Sequence, residues 1–294
     1  MGTWTTHANV PDTKFGSGVI GYNSKIYIAG GFSYSGGSFN DLMTYDPNTN
    51  TYDQTLSNMS ISKEHFAVGI KSGIIYTAGG HNSSGFLNSC EKYNIGTDTW
   101  SSMPNLPVTA HGLNGTIYGD YFYVFDSSKV YKYDINGNSW STPNTDTTDT
   151  IDYSVTETVG NYIWVIGGSV DRRIVRKYNP ATDSWVSGTY TDAPSDVYFT
   201  ASCVHSTKIY MAGGYQSQTI FKSYDTSNDT WDNTLPGMPT SRYSAAGDIV
   251  NNNFYVVGGY NGNSLNSNES YDLPILSTTN PGGDINPYKT RIQG

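Results

Sequence analysis

Five times along this chain a tyrosine in a strand-like run is followed seven positions later by a second aromatic. The pairs are Tyr45 and Tyr52, Tyr93 and Trp100, Tyr133 and Trp140, Tyr178 and Trp185, and Tyr224 and Trp231. A fixed internal period means that one supersecondary unit has been copied, so the unit and its copy number set the fold. Four of the pairs follow an apolar run that ends in two glycines, at 26–31, 75–80, 163–168 and 209–214, and a fifth such run, at 254–259, precedes a sixth strand tyrosine. Phe122-Tyr-Val-Phe-Asp126 is a degenerate copy without the glycines. With the first glycine as phase mark, and Phe125 standing in for it in the degenerate copy, the steps are 49, 46, 42, 46 and 45 residues, which makes six units.

β-branched and aromatic residues in runs of about five, punctuated by Gly, Asn and Asp, are strand signals, and no stretch sustains a helical period. The expectation is an all-β chain. A repeat of this size holds four short antiparallel strands, one blade of a propeller. The glycine pair suits the end of the second strand, where the chain turns sharply or meets another backbone. The first copy has no strand upstream of Trp4, and the last lacks its aromatic because position 278, seven after Tyr271, is a threonine. The two defects cancel if the segment around Trp4 supplies the outer strand of the sixth blade, which closes the ring and leaves no open edge. The ring then spans 1–276, and 277–294, rich in Ser, Thr, Asn, Pro and Gly, reads as a tail or linker.

Apolar-Gly-Gly, then Tyr-Asp, then Trp, with Met-Pro and Arg leading into the next copy, resembles the kelch repeat. Leu235-Pro-Gly-Met-Pro-Thr-Ser-Arg242 followed by Asn253-Phe-Tyr-Val-Val-Gly-Gly259 matches it most fully. The resemblance covers residues 2 to about 276 and implies a six-bladed kelch propeller of bacterial type, a fold that mostly serves as a binding platform. The third copy departs furthest, which leaves its loop geometry open.

The formal charge of −9 argues against nucleic acid or an anionic membrane as the main partner. No apolar run is long enough to span a bilayer. Cys90 and Cys203 fall in different units and read as buried free thiols. A composition rich in Asn, Ser, Thr and Tyr and poor in Lys suggests an extracellular protein or one at a cell or virion surface.

In kelch propellers the loops entering the innermost strand and those following the glycine pair share one face, around the channel mouth. Counting back thirteen from the aromatic before each glycine run gives Lys14, Lys63, Ala110, Ile151, Val197 and Arg242, with Glu64, Asp152 and Asp196 one step away. The three cations come from contiguous blades and are expected on one half of the funnel, with the two aspartates opposite. The loops after the glycines add Phe32, Tyr34, His81, Tyr215, Tyr260 and Asn261. Aromatic faces beside Asp, Asn and Arg suit a polar ligand, here a glycan, a peptide or a protein.

Other motifs have simpler explanations. Gly16-Ser-Gly-Val-Ile-Gly21 has the letters of a dinucleotide fingerprint, but no helix follows to meet a pyrophosphate. Asp46-Pro-Asn-Thr-Asn50 and Asp134-Ile-Asn-Gly-Asn138 have calcium-loop spacing without the sixth-position glycine or terminal glutamate, so they read as hairpin turns. Arg172, Arg173, Arg176 and Lys177 form one basic cluster that could hold an anionic group but reads first as a charged edge strand. The five histidines show no metal-ligand spacing, and no catalytic residue, metal or cofactor is assigned. A monomeric binding ring is the first reading. A sugar-modifying enzyme resembling the six-bladed sialic acid mutarotases is the alternative, with Arg242 or Lys14 holding a carboxylate and Asp152, Asp196 or Glu64 moving protons. A structural component of a larger assembly is the third.

Overall fold

The computed structural model describes residues 2–143, 147, 150–216 and 218–275. The six units are six four-stranded antiparallel sheets, and no helix occurs among the described residues. Blade 1 comprises Gly18–Tyr22, Lys25–Ala29, Leu42–Asp46 and Thr51–Asp53. Blade 2 comprises Ala67–Lys71, Ile74–Ala78, Cys90–Asn94 and Thr99–Met103. Asn114–Tyr118, Tyr121–Asp126, Lys129–Asp134 and Ser139–Ser141 make blade 3. Val155–Val159, Tyr162–Ile166, Val175–Asn179 and Ser184–Trp185 make blade 4. Blade 5 follows with Ala201–His205, Lys208–Ala212, Phe221–Asp225 and Thr230–Asp232. Blade 6 has Ala246–Val250, Asn253–Val257 and Asn268–Asp272, and its fourth strand is Trp4–Thr6. Each innermost strand lies against that of the next blade, and that of blade 6 lies against that of blade 1.

The ring closes as the sequence implies. Trp4 pairs opposite Tyr271 and Thr6 opposite Glu269. The proposed tail, 277–294, lies outside the described residues.

The seven-residue spacing follows from a hairpin whose two aromatics sit directly opposite each other. Tyr45 faces Tyr52, Tyr93 faces Trp100 and Tyr224 faces Trp231 in register, with ring centroids 5.0, 5.1 and 4.9 Å apart. Five residues after each tyrosine an Asn or Asp takes the left-handed conformation of the turn and accepts the phenol hydroxyl: Tyr45 to Asn50 at 2.8 Å, Tyr93 to Asp98 at 2.7 Å, Tyr133 to Asn138 at 2.6 Å. Asn and Asp tolerate that backbone better than other side chains. The indole N–H groups of Trp100, Trp140, Trp231 and Trp4 then donate to the carbonyls of Ser57, Pro104, Thr191 and Pro236, at 2.7 to 2.8 Å, in the link that enters the same blade.

The glycine pair joins blades. The amide of the second glycine donates to a loop carbonyl of the next blade: Gly31 to Lys63, Gly80 to Ala110, Gly168 to Val197, Gly214 to Arg242 and Gly259 to Lys14. A Cβ on the first glycine would lie only 2.5, 3.1, 1.9, 2.4 and 2.3 Å from those same carbonyls, at backbone angles that disfavour side chains in any case. Blade 3 needs no such pair, because its second and third strands join through the two-residue turn Ser127-Ser128 and its sheet is regular.

Three motifs resolve into packing. Gly18 of the fingerprint-like stretch sits where a Cβ would be 2.8 Å from the Phe66 ring. Asp46 accepts the amide of Asn48, and Asp134 those of Asn136 and Gly137, so both calcium-like stretches are turns. Among the described residues no cluster of His, Cys, Asp and Glu could hold a metal ion. The basic cluster is not an edge strand: Val175–Asn179 is paired on both sides. Its members separate, with Arg176 buried and donating to the Gly167 carbonyl at 3.1 Å and the Lys177 ammonium 3.8 Å from the Tyr162 ring centre. Cys90 and Cys203 are buried and form no disulfide, and burial pushes the Cys90 thiol up to about 11.

Candidate binding site

The loops entering the six innermost strands meet at the channel mouth in one repeated conformation. Gly16, His65, Gly112, Tyr153, Phe199 and Ser244 occupy equivalent positions, all with φ between 48° and 69°. Each donates its amide to the carbonyl of its counterpart one blade back, from His65 to Gly16 at 2.8 Å round to Gly16 to Ser244 at 2.9 Å, so six backbone hydrogen bonds form a closed circle. Large and small side chains share the circle. A Cβ on Gly16 would meet the His65 ring at 2.8 Å, and one on Gly112 the Tyr153 ring at 2.7 Å. His65, Tyr153 and Phe199 thus pack over the mouth, with His65 and Phe199 centroids 5.5 Å apart and Tyr153 and Phe199 4.0 Å apart. Burial, reinforced by His111 and His81, holds the His65 imidazole down to about 3, so it is neutral.

Above this floor lies a depression of about 400 Å³ lined by Phe15, Tyr34, His65, Arg172, Tyr198, Phe199, Tyr215, Tyr243, Ser244 and Tyr260. Its aromatic walls brace one another: Phe15 touches Tyr34 and Tyr260, Tyr260 touches Tyr243, Tyr243 touches Tyr215, and Tyr215 touches Tyr198. Burial raises the Tyr198 and Tyr243 phenols, so both remain hydroxyls at neutral pH. The Arg172 guanidinium lies 4.7 Å from the Tyr198 ring centre and 5.4 Å from that of Tyr215, and 3.3 Å from Asp196.

Of the residues expected from sequence, Tyr34, Tyr215 and Tyr260 line this cup. Phe32 packs behind it on Phe15 and Tyr34, Asp196 anchors Arg172, and Asn261 is exposed beside it. The three cations do not face the funnel. Lys14, Lys63 and Arg242 are 1%, 0% and 0% exposed. Each is held inside its own blade, Lys14 by Asp41 at 2.7 Å, Lys63 by Glu91 at 3.5 Å, and Arg242 by Glu269 together with the Gly258 and Ser267 carbonyls. A long cation directly beneath a loop rich in carbonyls is better placed to bind that loop than a ligand. The expected charged half of the funnel is therefore absent. The carboxylates lie 27 or 28 residues beyond each cation, a spacing that could have revealed the pairing.

The other side of the rim is polar. Glu64 is buried, 3.1 Å from His81, and burial raises its carboxyl. His111 stacks on Phe86 with centroids 3.9 Å apart. Asp152 accepts the Ser127 amide, and Asp126, where other blades carry a glycine, is pushed up to about 6 by burial and by the Asp152 charge. Sequence reasoning missed Phe15, His65, Tyr198, Phe199, Tyr243 and Ser244, and assigned Arg172 to an edge strand. All but Arg172 stand one or two positions beyond the aligned residues in the same loops, so the alignment stopped just short of them.

Comparison with known proteins agrees with this geometry. A family model described as the Kelch motif matches residues 14–54, 64–107 and 241–274. The chain is 30% identical over 287 residues to Kelch-like protein 23 of Mus musculus, covering 92% of this chain and 50% of that protein. It is 24% identical over 242 residues to Kelch-like protein terF of Aspergillus terreus, covering 72% of this chain and 52% of that protein. It is also 24% identical over 242 residues to Kelch repeat and BTB domain-containing protein 2 of Cowpox virus, covering 72% and 43%. The chain thus spans about half the length of these relatives, which are animal, fungal and viral. The repeat matches and the closed ring of four-stranded sheets lead to one assignment: the chain is a six-bladed β-propeller built from kelch repeats.

Proposed function

We propose that this propeller is a protein-binding module that grips a partner on its loop face, with the aromatic cup as the centre of the contact. The observation that carries the reading is the distribution of exposed apolar side chains. Among the described residues the exposed large hydrophobics are Tyr34, Phe86, Val108, Val170, Tyr215 and Ile275, and all but Ile275 stand on loops of this one face. Tyr34 is 72% and Phe86 52% exposed. Apolar groups gathered on one face around a tyrosine-rich pocket that also holds an arginine have the composition of an interaction hot spot. Kelch propellers commonly bind proteins, which supports the same reading. An extracellular or surface setting for this module rests on composition alone.

The sugar-modifying alternative loses the cations it would use for a carboxylate, because Lys14 and Arg242 are enclosed in ion pairs. The test is affinity capture with the wild-type ring and with a Tyr34→Ala/Tyr260→Ala variant, beside a glycan array. A protein partner retained by the first and lost by the second supports the proposal. Glycan binding that needs both tyrosines, without a protein partner, or capture indifferent to both, overturns it.

A further inference from the structure

We propose that the cup is a subsite for an aromatic ring bearing an anionic group, with Arg172 as the residue that selects the anion. The inference rests on the binding reading above and names the chemistry that the cup would take. Arg172 alone among the lining residues carries a formal charge, since His65 is neutral and no carboxylate lines the cavity. The walls are otherwise tyrosine and phenylalanine, and a volume of about 400 Å³ suits a ring-sized group closed off below by the backbone circle.

The lining offers unpaired hydroxyls and one cation but no anionic acceptor. The strand tyrosines tie up their hydroxyls, as Tyr93 does on Asp98. Those of Tyr34, Tyr198, Tyr215, Tyr243 and Tyr260 have no protein hydrogen-bond partner among the described residues. Arg172 makes one ion pair, with Asp196, and lies between the Tyr198 and Tyr215 rings. A planar guanidinium held this way keeps further N–H donors for a phosphate, sulfate or carboxylate. A bare anion would leave the ring walls unused, and a neutral ring would leave the Arg172 donors unmatched. A ring with an anionic substituent satisfies both.

The chemistry could come from a modified tyrosine of a partner or from a free aryl acid. The test measures binding of phenyl phosphate, phenol and inorganic phosphate to the intact ring by calorimetry or ligand-detected NMR. Phenyl phosphate should bind at least about tenfold more tightly than either fragment, and Arg172→Gln should lower its affinity by about 10- to 100-fold. Arg172→Lys should retain part of it, and thermal melting shows whether either variant is folded. N-acetyl-phosphotyrosine amide binding more tightly than phenyl phosphate identifies a partner's modified tyrosine as the source, and equal or weaker binding a free aryl acid. Three probes binding alike, or a folded Arg172→Gln that keeps wild-type affinity for phenyl phosphate, overturns the inference. If partner capture still depends on Tyr34 and Tyr260, the protein-binding reading survives that failure.

Discussion

The imidazole Nε2 of His65 lies 2.7 Å from the Ser244 hydroxyl, linking blades 2 and 6 across the loop of blade 1 that stands between them. The contact exists because Gly16, the intervening member of the backbone circle, has no side chain to block it. A glycine whose letters suggest a phosphate loop thus serves to let a histidine cross the channel mouth.

Replacing Gly16 combines backbone strain with a clash. Gly16→Ala adds a Cβ at φ +65° against the His65 ring and should cost about 2–4 kcal/mol in urea unfolding. Gly37→Ala, at φ +77° with nothing within 4 Å, carries strain alone and should cost about 1 kcal/mol. Equal costs at the two sites would show that Gly16 does not make room for His65.

His65 should make the ring acid-sensitive. Its folded value near 3 is below the ordinary 6.5, so its contribution is complete above pH 6.5 and is lost as pH falls toward 3, by up to about 1.4 kcal/mol per pH unit. Asp126 acts in the opposite sense: held near 6 against an ordinary 3.8, it favours the fold below pH 3.8 and loses that contribution as pH rises through 6. Unfolding free energies from pH 4 to 7 should therefore show a flatter acid limb in His65→Gln and a steeper net rise with pH in Asp126→Asn, which removes the opposing contribution. No change in slope for His65→Gln would contradict the buried neutral imidazole.

Arg242 should matter for folding rather than for ligand contact. Arg242→Met leaves Glu269 charged and buried and should cost about 3–5 kcal/mol, whereas Arg242→Met/Glu269→Met should recover much of that loss. Thermal melts of the two variants make the comparison. A single variant as stable as wild type, with weakened partner binding, would return Arg242 to the funnel.

Trp4 fastens the ring. Its indole packs on Phe221 and Tyr271 and donates to the Pro236 carbonyl. Trp4→Ala should cost about 3–5 kcal/mol and should raise amide exchange first in Asn268–Asp272, the strand it pairs with. Unchanged protection there would show that closure does not depend on the N-terminal strand.

Much of this architecture is legible in the sequence because it rests on local geometry. A strand tyrosine, a left-handed Asn or Asp five residues on and an aromatic at seven are determined within one hairpin, as Tyr93, Asp98 and Trp100 show. The glycine pairs are legible because a carbonyl of the next blade leaves no room for Cβ. The site is less so. Whether Lys63 faces solvent or Glu91 depends on two segments 28 residues apart that meet only in the folded blade. Arg172 belongs to a blade 4 loop yet is braced by Tyr198 and Tyr215, from the loops of blade 5. A cation that crosses between blades leaves no periodic trace in the chain.

The most direct test of the central claim is site-specific photocrosslinking to the captured partner, with a benzophenone side chain placed at Tyr260 in the cup or at Thr97 in an exposed turn on the opposite face. A crosslinked partner is expected from position 260 and none from 97. Crosslinking from 97 with none from 260 would place the partner on the other face and contradict that claim.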